Sequence, residues 1–399
     1  MKFAHFSDVH IGGWRDERMK VMSVQAFQLA VERCIQEQVD FIIIAGDLFD
    51  SALPQIDLIR DATVQLKKLK DAHIPVYLIP GSHDFSPSGK TMIEVLEKAG
   101  LCVNVFKFHE GKLQFTLDPK TGVKLTGILG LACGLDTKIY QQLDKASLER
   151  EPGFKIFVFH TLLEELKPKH LDMVMSEPLR NFPKGFQYYA GGHPHYVHAE
   201  HFPAYGLIAY PGALFPNNFQ ELEKFQGGGF YLVNEHLEYQ HVFLQPKDVC
   251  CIVVDVDGKS ALEAQQCILE ALRKQDVHGK IVTLRVEGIL STGSISEINF
   301  KDLLSALSSA YCVLVNRSKL QDKETAAAEV NSGTVEDIEH SLIQQHLKEH
   351  SSVLQNEHMV QLFMNLLNKE KDEGEKILDF ELRLLKDFLN HAQLEEVWN

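Results

Sequence analysis

The first hundred residues change hydrophobic period several times. Residues 2–7 alternate apolar and polar and predict a strand, while residues 19–35 place Val21, Val24, Phe27, Leu29, Val31 and Ile35 at helical spacing. Phe41-Ile42-Ile43-Ile44-Ala45 is a continuous apolar run, as in a strand covered on both faces. A helix over 56–72, a strand over 76–79 and a helix over 91–99 follow. Strand alternating with helix predicts a parallel sheet with right-handed crossovers.

From 101 to 133 shorter strands are separated by turn residues such as Asp118-Pro119-Lys120-Thr121-Gly122, which predicts antiparallel additions to the sheet. Residues 155–159 read as a buried strand ended by His160, and 187–190 lead into Gly191-Gly192. Strands over 207–210, 229–233 and 239–244 are expected to complete a second layer. The fold class is therefore α/β, a two-layer β-sandwich flanked by helices over residues 1–245. Gln245-Pro246-Lys247-Asp248 marks a boundary. Beyond it a small α+β capping domain without a metal-ligand cluster is expected over 246–318. A polar linker covers 319–335, and a helical tail covers 336–399. In its last helix Ile377, Phe380, Leu384 and Phe388 share one face and Leu378, Leu382, Leu385 and Leu389 the next. Such a stripe packs on the chain's own domains or seats a partner.

Hydrophobic residues at 45% and charged residues at 24% suit a soluble globular protein. The apolar runs are too short to cross a bilayer, and Met1 leads straight into a strand-like alternation without room for a signal peptide. A cytoplasmic protein with no membrane contact is expected, nucleoid-associated in a prokaryote. The seven cysteines contain no C-x-x-C pair and are read as small core residues. A net charge of -15 argues against coating nucleic acid by bulk electrostatics. It does not exclude a nuclease, because two divalent cations would leave the pocket positive after Asp8 and Asp47 are neutralised.

Five polar clusters end predicted strands: Asp8-Val9-His10, Gly46-Asp47-Leu48-Phe49-Asp50, Gly81-Ser82-His83-Asp84, His160 and Gly192-His193-Pro194-His195. Spacing of i, i+2 puts Asp8 with His10, and His193 with His195, on one side of an extended segment. Hydrolysis of a phosphodiester needs a strong nucleophile and neutralised phosphate oxygens. Two cations about 3.5–4 Å apart meet both needs. Carboxylates and imidazoles are suitable ligands for them. Either short pair alone is common by chance, but the ordered set is not. Asp50 is either a carboxylate behind the ligands that orients one of them or a cap ahead of Pro54. Arg15, Arg18 and Lys20 are candidates for DNA-backbone contact, or simply a solvated helix start.

The order DxH, GDxxD, GNHD, H, GHxH resembles that of the calcineurin-like metallophosphoesterases, here with Ser82 in place of asparagine. Gly-Asp-Leu-Phe-Asp, the small second domain and the helical tail look more specifically like the nuclease subunit of double-strand-break repair, the SbcD-type or meiotic-recombination-eleven family. The resemblance implies that Asp8, His10 and His195 hold a first metal, Asp47 bridges, and His160 and His193 hold a second, with Ser82 a weak ligand there. Mn2+ is the implied metal. His83 would contact the scissile phosphate and assist the leaving oxygen, with Asp84 orienting its ring. Implied partners are DNA (double-stranded ends and single strands), an SMC-like coiled-coil ATPase gripped by the tail, and a second copy of the chain through the helices over 56–69 and 91–96. Two other readings stay open: a DNA-end-binding scaffold whose cleavage is weakened by Ser82, and an enzyme acting on small phosphodiesters or phosphoproteins.

Overall fold

The computed structural model describes residues 1–86, 91–109, 112–131, 135–169, 174–323, 383–384 and 386. Most of the expected helical tail and most of the expected linker lie outside these residues. None of the described helices is long and apolar enough to cross a membrane.

The first layer alternates strand and helix: β1 (Lys2–Phe6), α1 (Glu17–Gln36), β2 (Phe41–Ala45), α2 (Ile56–Asp71), β3 (Val76–Ile79), α3 (Met92–Lys98) and β4 (Val103–Asn104). β1 to β4 run parallel, since each crossover helix returns the chain to the same end of the sheet. β5 (Phe108–His109) and β6 (Lys112–Leu113) pair as a separate hairpin. β7 (Thr116–Leu117), β8 (Lys124–Ile128), β9 (Lys155–His160), β10 (Tyr188–Gly192), β11 (His198–His201) and β12 (Leu207–Tyr210) build a second sheet ordered β11-β12-β10-β9-β8-β7. Its outer face is covered by the short helices α4 (Thr137–Gln141) and α5 (Lys145–Arg150) and the turn between them, through Tyr140, Leu148 and Leu143.

Two expectations about strand placement change. β4 joins the first sheet in parallel rather than antiparallel. After α6 (Phe219–Phe225), β13 (Gly228–Asn234) and β14 (Tyr239–Leu244) extend the first sheet from the other side of β1 instead of completing the second. The physical reason lies in Phe230-Tyr231-Leu232-Val233, four consecutive apolar side chains that need cover on both faces. Beside β1, Phe230 and Leu232 enter the core under α1 and α2, and Tyr231 and Val233 enter the core between the sheets. That second core is closed by Phe3, Phe41, Ile43 and Tyr77 from one sheet and Leu125, Ile156, Val158 and Tyr188 from the other.

The chain divides into two compact units: Met1–Val254 with Cys267–Val286 and Asn299–Arg317, and Asp255–Gln266 with Glu287–Ile298 and Ser318–Asn399. Both sheets above belong to the first. β15 (Val249–Asp255), α7 (Ala261–Arg273), β16 (Ile281–Leu290), α8 (Phe300–Ser305) and β17 (Cys312–Asp322) follow, with sheet order β15-β16-β17. Within the first unit, Ile281 and Cys312 share a core with Met19, Met22, Phe215 and Leu222, and Arg285 is paired with Glu223 at 2.6 Å. In the second unit, the Ser260 hydroxyl donates to Glu263 at 2.8 Å and the Ser294 N–H donates to Glu297 at 3.0 Å, local contacts that fix two turns.

Candidate metal centre

Parallel strands deliver the turns that follow them to one edge of each sheet. Asp8 and His10 follow β1, Asp47 follows β2, Ser82, His83 and Asp84 follow β3, His160 ends β9, and His193 and His195 follow β10. The turns after β1 and β2 are joined by backbone hydrogen bonds from Asp8 N–H to Gly46 O (3.2 Å) and from His10 N–H to Asp47 O (3.0 Å). Asp8, His10, Asp47 and His193 all have positive φ, at 51°, 45°, 52° and 91°. Non-glycine residues hold this conformation only where the surroundings impose it, commonly at functional sites.

The carboxylates lie between the histidines. Asp47 Oδ2 is 3.1 Å from His160 Nε2 and 3.7 Å from His10 Nε2. Asp8 Oδ1 is 3.5 Å from His195 Nε2 and 4.0 Å from His160 Nε2. Asp8 also accepts the His193 main-chain N–H, and Asp47 Oδ1 accepts that of His83 at 2.8 Å. Ser82 Oγ is 3.5 Å from Asp47 Oδ2, so the serine stands at the centre.

The imidazole protons are committed outward. His10 Nδ1–H donates to Asp50 Oδ1 at 3.0 Å, His195 Nδ1–H to Glu221 Oε1 at 2.9 Å, and His160 Nδ1–H to the Ala45 carbonyl at 2.8 Å. Each Nε2 is then turned inward, where it holds a proton in the cation-free cluster or offers its lone pair to a cation. His160 Nε2 is buried against Asp47 Oδ2, and the Nε2 atoms of His10 and His195 face each other at 3.2 Å. Facing lone pairs repel unless a cation or a shared proton lies between them. With hard and borderline donors in two overlapping groups, Asp8/His10/His195 and Asp8/Asp47/His160, the set fits divalent cations.

Without cations the charges sort themselves within the cluster. Burial alone would raise Asp8 and Asp47, but the adjoining histidines outweigh it and hold both far below the carboxylate range. Burial works against a charge on His160, yet Asp47 and Asp8 lift it to about 9. Burial and the His160 charge push His193 down to about 4. Cations would replace the protons that His160 and His195 carry in this state.

His83 stands at the rim, its side chain 46% exposed and its ring centroid 4.8 Å from that of His10. Asp84 does not orient it, contrary to the sequence-based expectation. The Asp84 carboxylate is buried and takes the main-chain N–H groups of Leu48, Phe49 and Gly81 at 3.0–3.1 Å. It ties the turn after β3 to the turn after β2. The partner of His83 Nδ1 is the main-chain carbonyl of Asp50 at 2.9 Å. The Asp50 side chain lies behind a ligand, its Oδ1 accepting from His10 Nδ1–H.

Of the three basic residues considered for DNA contact, Arg18 is held by Asp16 (3.1 Å) and the Tyr311 carbonyl (3.0 Å), and Lys20 by Glu17 (2.6 Å). Arg15 is exposed. A cavity of about 670 Å³ opens beside His193 and His195, walled by Leu166, Tyr196 and Phe225 with Lys224 at its side.

Sequence reasoning missed Glu221 and Asn217, which lie more than twenty residues beyond His195, in the first turn of α6 and just ahead of it, with no ligand spacing. The available signal was the helix start Asn218-x-x-Glu221, a capping pattern in which Asn218 accepts the Glu221 N–H at 2.9 Å.

The family model for calcineurin-like phosphoesterases matches residues 1–197, a span containing every ligand named above. Among curated proteins the chain is similar to the DNA double-strand break repair protein Mre11 of Archaeoglobus fulgidus, 26% identical over 75% of this chain and 72% of that protein. The same-named protein of Methanococcus maripaludis is 29% identical over 65% and 70% of the two chains, and that of Methanocaldococcus jannaschii 27% identical over 70% and 76%.

Proposed function

We propose, for a chain whose residues 1–197 belong to the calcineurin-like phosphoesterases, that it is a manganese-dependent DNA exonuclease and endonuclease of the SbcD or meiotic-recombination-eleven type. One observation carries the reading: three imidazoles whose Nδ1 protons are held outward turn their Nε2 atoms onto two carboxylates that lie between them. Similarity to double-strand break repair proteins over most of the chain supports DNA as the substrate.

Asp8, His10 and His195 would hold one cation and Asp47, His160 and His193 the other, with Asp47 shared. Bound there, the cations supply an activated water and neutralise the non-bridging oxygens of the phosphate. The protein's own part is positioning. Asp50 and Glu221 keep His10 and His195 in one tautomer, and Ala45 does the same for His160. His83, turned by the Asp50 carbonyl, keeps Nε2 available to carry a proton to the leaving oxygen. The cavity beside His193 has room for a nucleoside against Tyr196 and Phe225.

Ser82 favours a second reading, a DNA-end-binding scaffold with little cleavage, because a hydroxyl is a poorer cation ligand than an amide carbonyl. In either case residues 1–245 act as the nuclease domain, with the small domain over 246–318. An SMC-like coiled-coil ATPase would engage the apolar stripe of residues 336–399. Ile56 and Val64 on α2 and Val95 on α3, exposed at 81%, 48% and 57%, favour pairing of two copies through these helices.

The test is Mn2+-dependent cleavage of linear double-stranded and single-stranded DNA by the protein, by His83→Ala and by Ser82→Asn. Cleavage that falls on the order of 10²–10⁴-fold in His83→Ala is expected. Ser82→Asn should gain activity at limiting Mn2+. Cleavage by Ser82→Asn alone would favour the scaffold. Hydrolysis of bis-p-nitrophenyl phosphate without any DNA cleavage by these proteins would refute the nuclease.

A further inference from the structure

The loop after β12 supplies no metal ligand, yet it reaches both histidines assigned to the first cation. Asn217 is its pivot. The Asn217 Nδ2 amide donates to Asp50 Oδ1 at 3.1 Å, the same oxygen that accepts His10 Nδ1–H at 3.0 Å. The Asn217 main-chain N–H donates to Glu221 Oε2 at 2.9 Å, while Glu221 Oε1 accepts His195 Nδ1–H at 2.9 Å. A carboxylate only accepts, so the amide nitrogen, not its oxygen, must face Asp50.

The surroundings hold this residue in place. Trp14 Nε1–H donates to the Pro216 carbonyl at 2.8 Å. The absence of a side chain at Gly13 makes the room, since a Cβ there would lie 1.8 Å from Asn217 Oδ1. The other histidine pair is built differently. His160 leans on a neutral main-chain carbonyl, and among the described residues no hydrogen bond fixes the His193 ring.

We propose that Asn217 is a positioning residue that couples Asp50 to Glu221, so that His10 and His195 turn their Nε2 atoms inward together before a cation arrives. The site of Asp8, His10 and His195 is therefore preorganised, and it fills first and more tightly than that of Asp47, His160 and His193. The proposal rests on the metal-centre reading above. A carboxylate behind a histidine ligand fixes its ring and raises its basicity, and disturbing such a partner weakens metal binding by about 10–100-fold.

Calorimetric titration of the metal-stripped full chain with Mn2+, alongside the electron paramagnetic resonance signal of free Mn2+, tests this in Asn217→Ala, Asn217→Asp and Glu221→Gln. Two binding steps are expected in the parent protein. Each variant should weaken the tighter step by about 10–100-fold and leave the weaker step unchanged. Asn217→Asp keeps the volume beneath Gly13 but loses the donor, so a space-filling role predicts that it binds like the parent. Parent-like binding by Asn217→Asp, or equal weakening of both steps in the variants, overturns the proposal. No Mn2+ uptake by the parent protein would instead remove the metal-centre reading on which it rests, a distinct failure.

Discussion

His83 Nδ1–H donates to the main-chain carbonyl of Asp50 at 2.9 Å, and the Asp50 carboxylate accepts from His10 Nδ1–H at 3.0 Å. One residue thus aims the rim histidine with its backbone and a metal ligand with its side chain. Asp50→Ala separates the two roles, because the carbonyl survives the substitution. Mn2+ affinity at the tighter site should fall about 10–100-fold. At saturating Mn2+, turnover should remain well above that of His83→Ala. Titration paired with cleavage rates checks this, and a variant as inactive as His83→Ala at every Mn2+ concentration would contradict it.

Asp84 is expected to matter for folding rather than for proton transfer. Its carboxylate satisfies three buried main-chain N–H groups, and Asp84→Ala strips the acceptor from all of them. Each buried donor left unpaired costs about 1–3 kcal/mol. The metal-free Asp84→Ala chain should therefore melt well below the parent protein. An unchanged melting temperature with lost cleavage would return Asp84 to the catalytic role.

Much of this is legible in the sequence alone. Asp8, His10, Asp47, His160, His193 and His195 each end or closely follow a strand read from the sequence, and a parallel sheet brings such positions to one edge. The orientation of His83 was not legible. His83-Asp84 reads as an imidazole with an adjacent carboxylate, but adjacent side chains in a tight turn diverge, and Asp84 points to the backbone of the neighbouring turn. Glu221 and Asn217 were hidden because a carboxylate that supports a ligand has no fixed spacing from it. The apolar run in β13 told that both of its faces are covered but not which sheet edge it joins.

The second site is confined by glycine. Gly46, at φ 86°, would place a Cβ 2.2 Å from His160 Nδ1, and Gly130 would place one 2.5 Å from His160 Cδ2 and 2.8 Å from its carbonyl oxygen. Gly130→Ala should displace the ring, lose the weaker Mn2+ step and spare the tighter one, with about 1–3 kcal/mol of overpacking. This is the mirror image of the effect expected at Asn217, so titrating the two variants side by side assigns the steps. Loss of the tighter step in Gly130→Ala would reverse that assignment.

The stability of the metal-free chain should carry the mark of Asp136. This carboxyl, 4% exposed at the start of α4, faces Glu177, His160 and Tyr140. Burial first, and then the charge of Glu177, raise it to about 6, against its own backbone hydrogen bond and the opposing charge of His160. In the unfolded chain the same group titrates near about 3.9. Between those values the folded protein keeps a proton that the unfolded chain has released. Its contribution is therefore whole below the unfolded pKa and is lost as pH rises through 6, on the order of 2–3 kcal/mol in all. A carboxamide cannot ionise, so Asp136→Asn should melt above the parent protein at pH 7.5, with the gap closing as pH falls to 4. Melting curves of both proteins across that range decide it: a gap that stays constant, or one that favours the parent protein at pH 7.5, means that Asp136 is ionised and compensated in the folded chain.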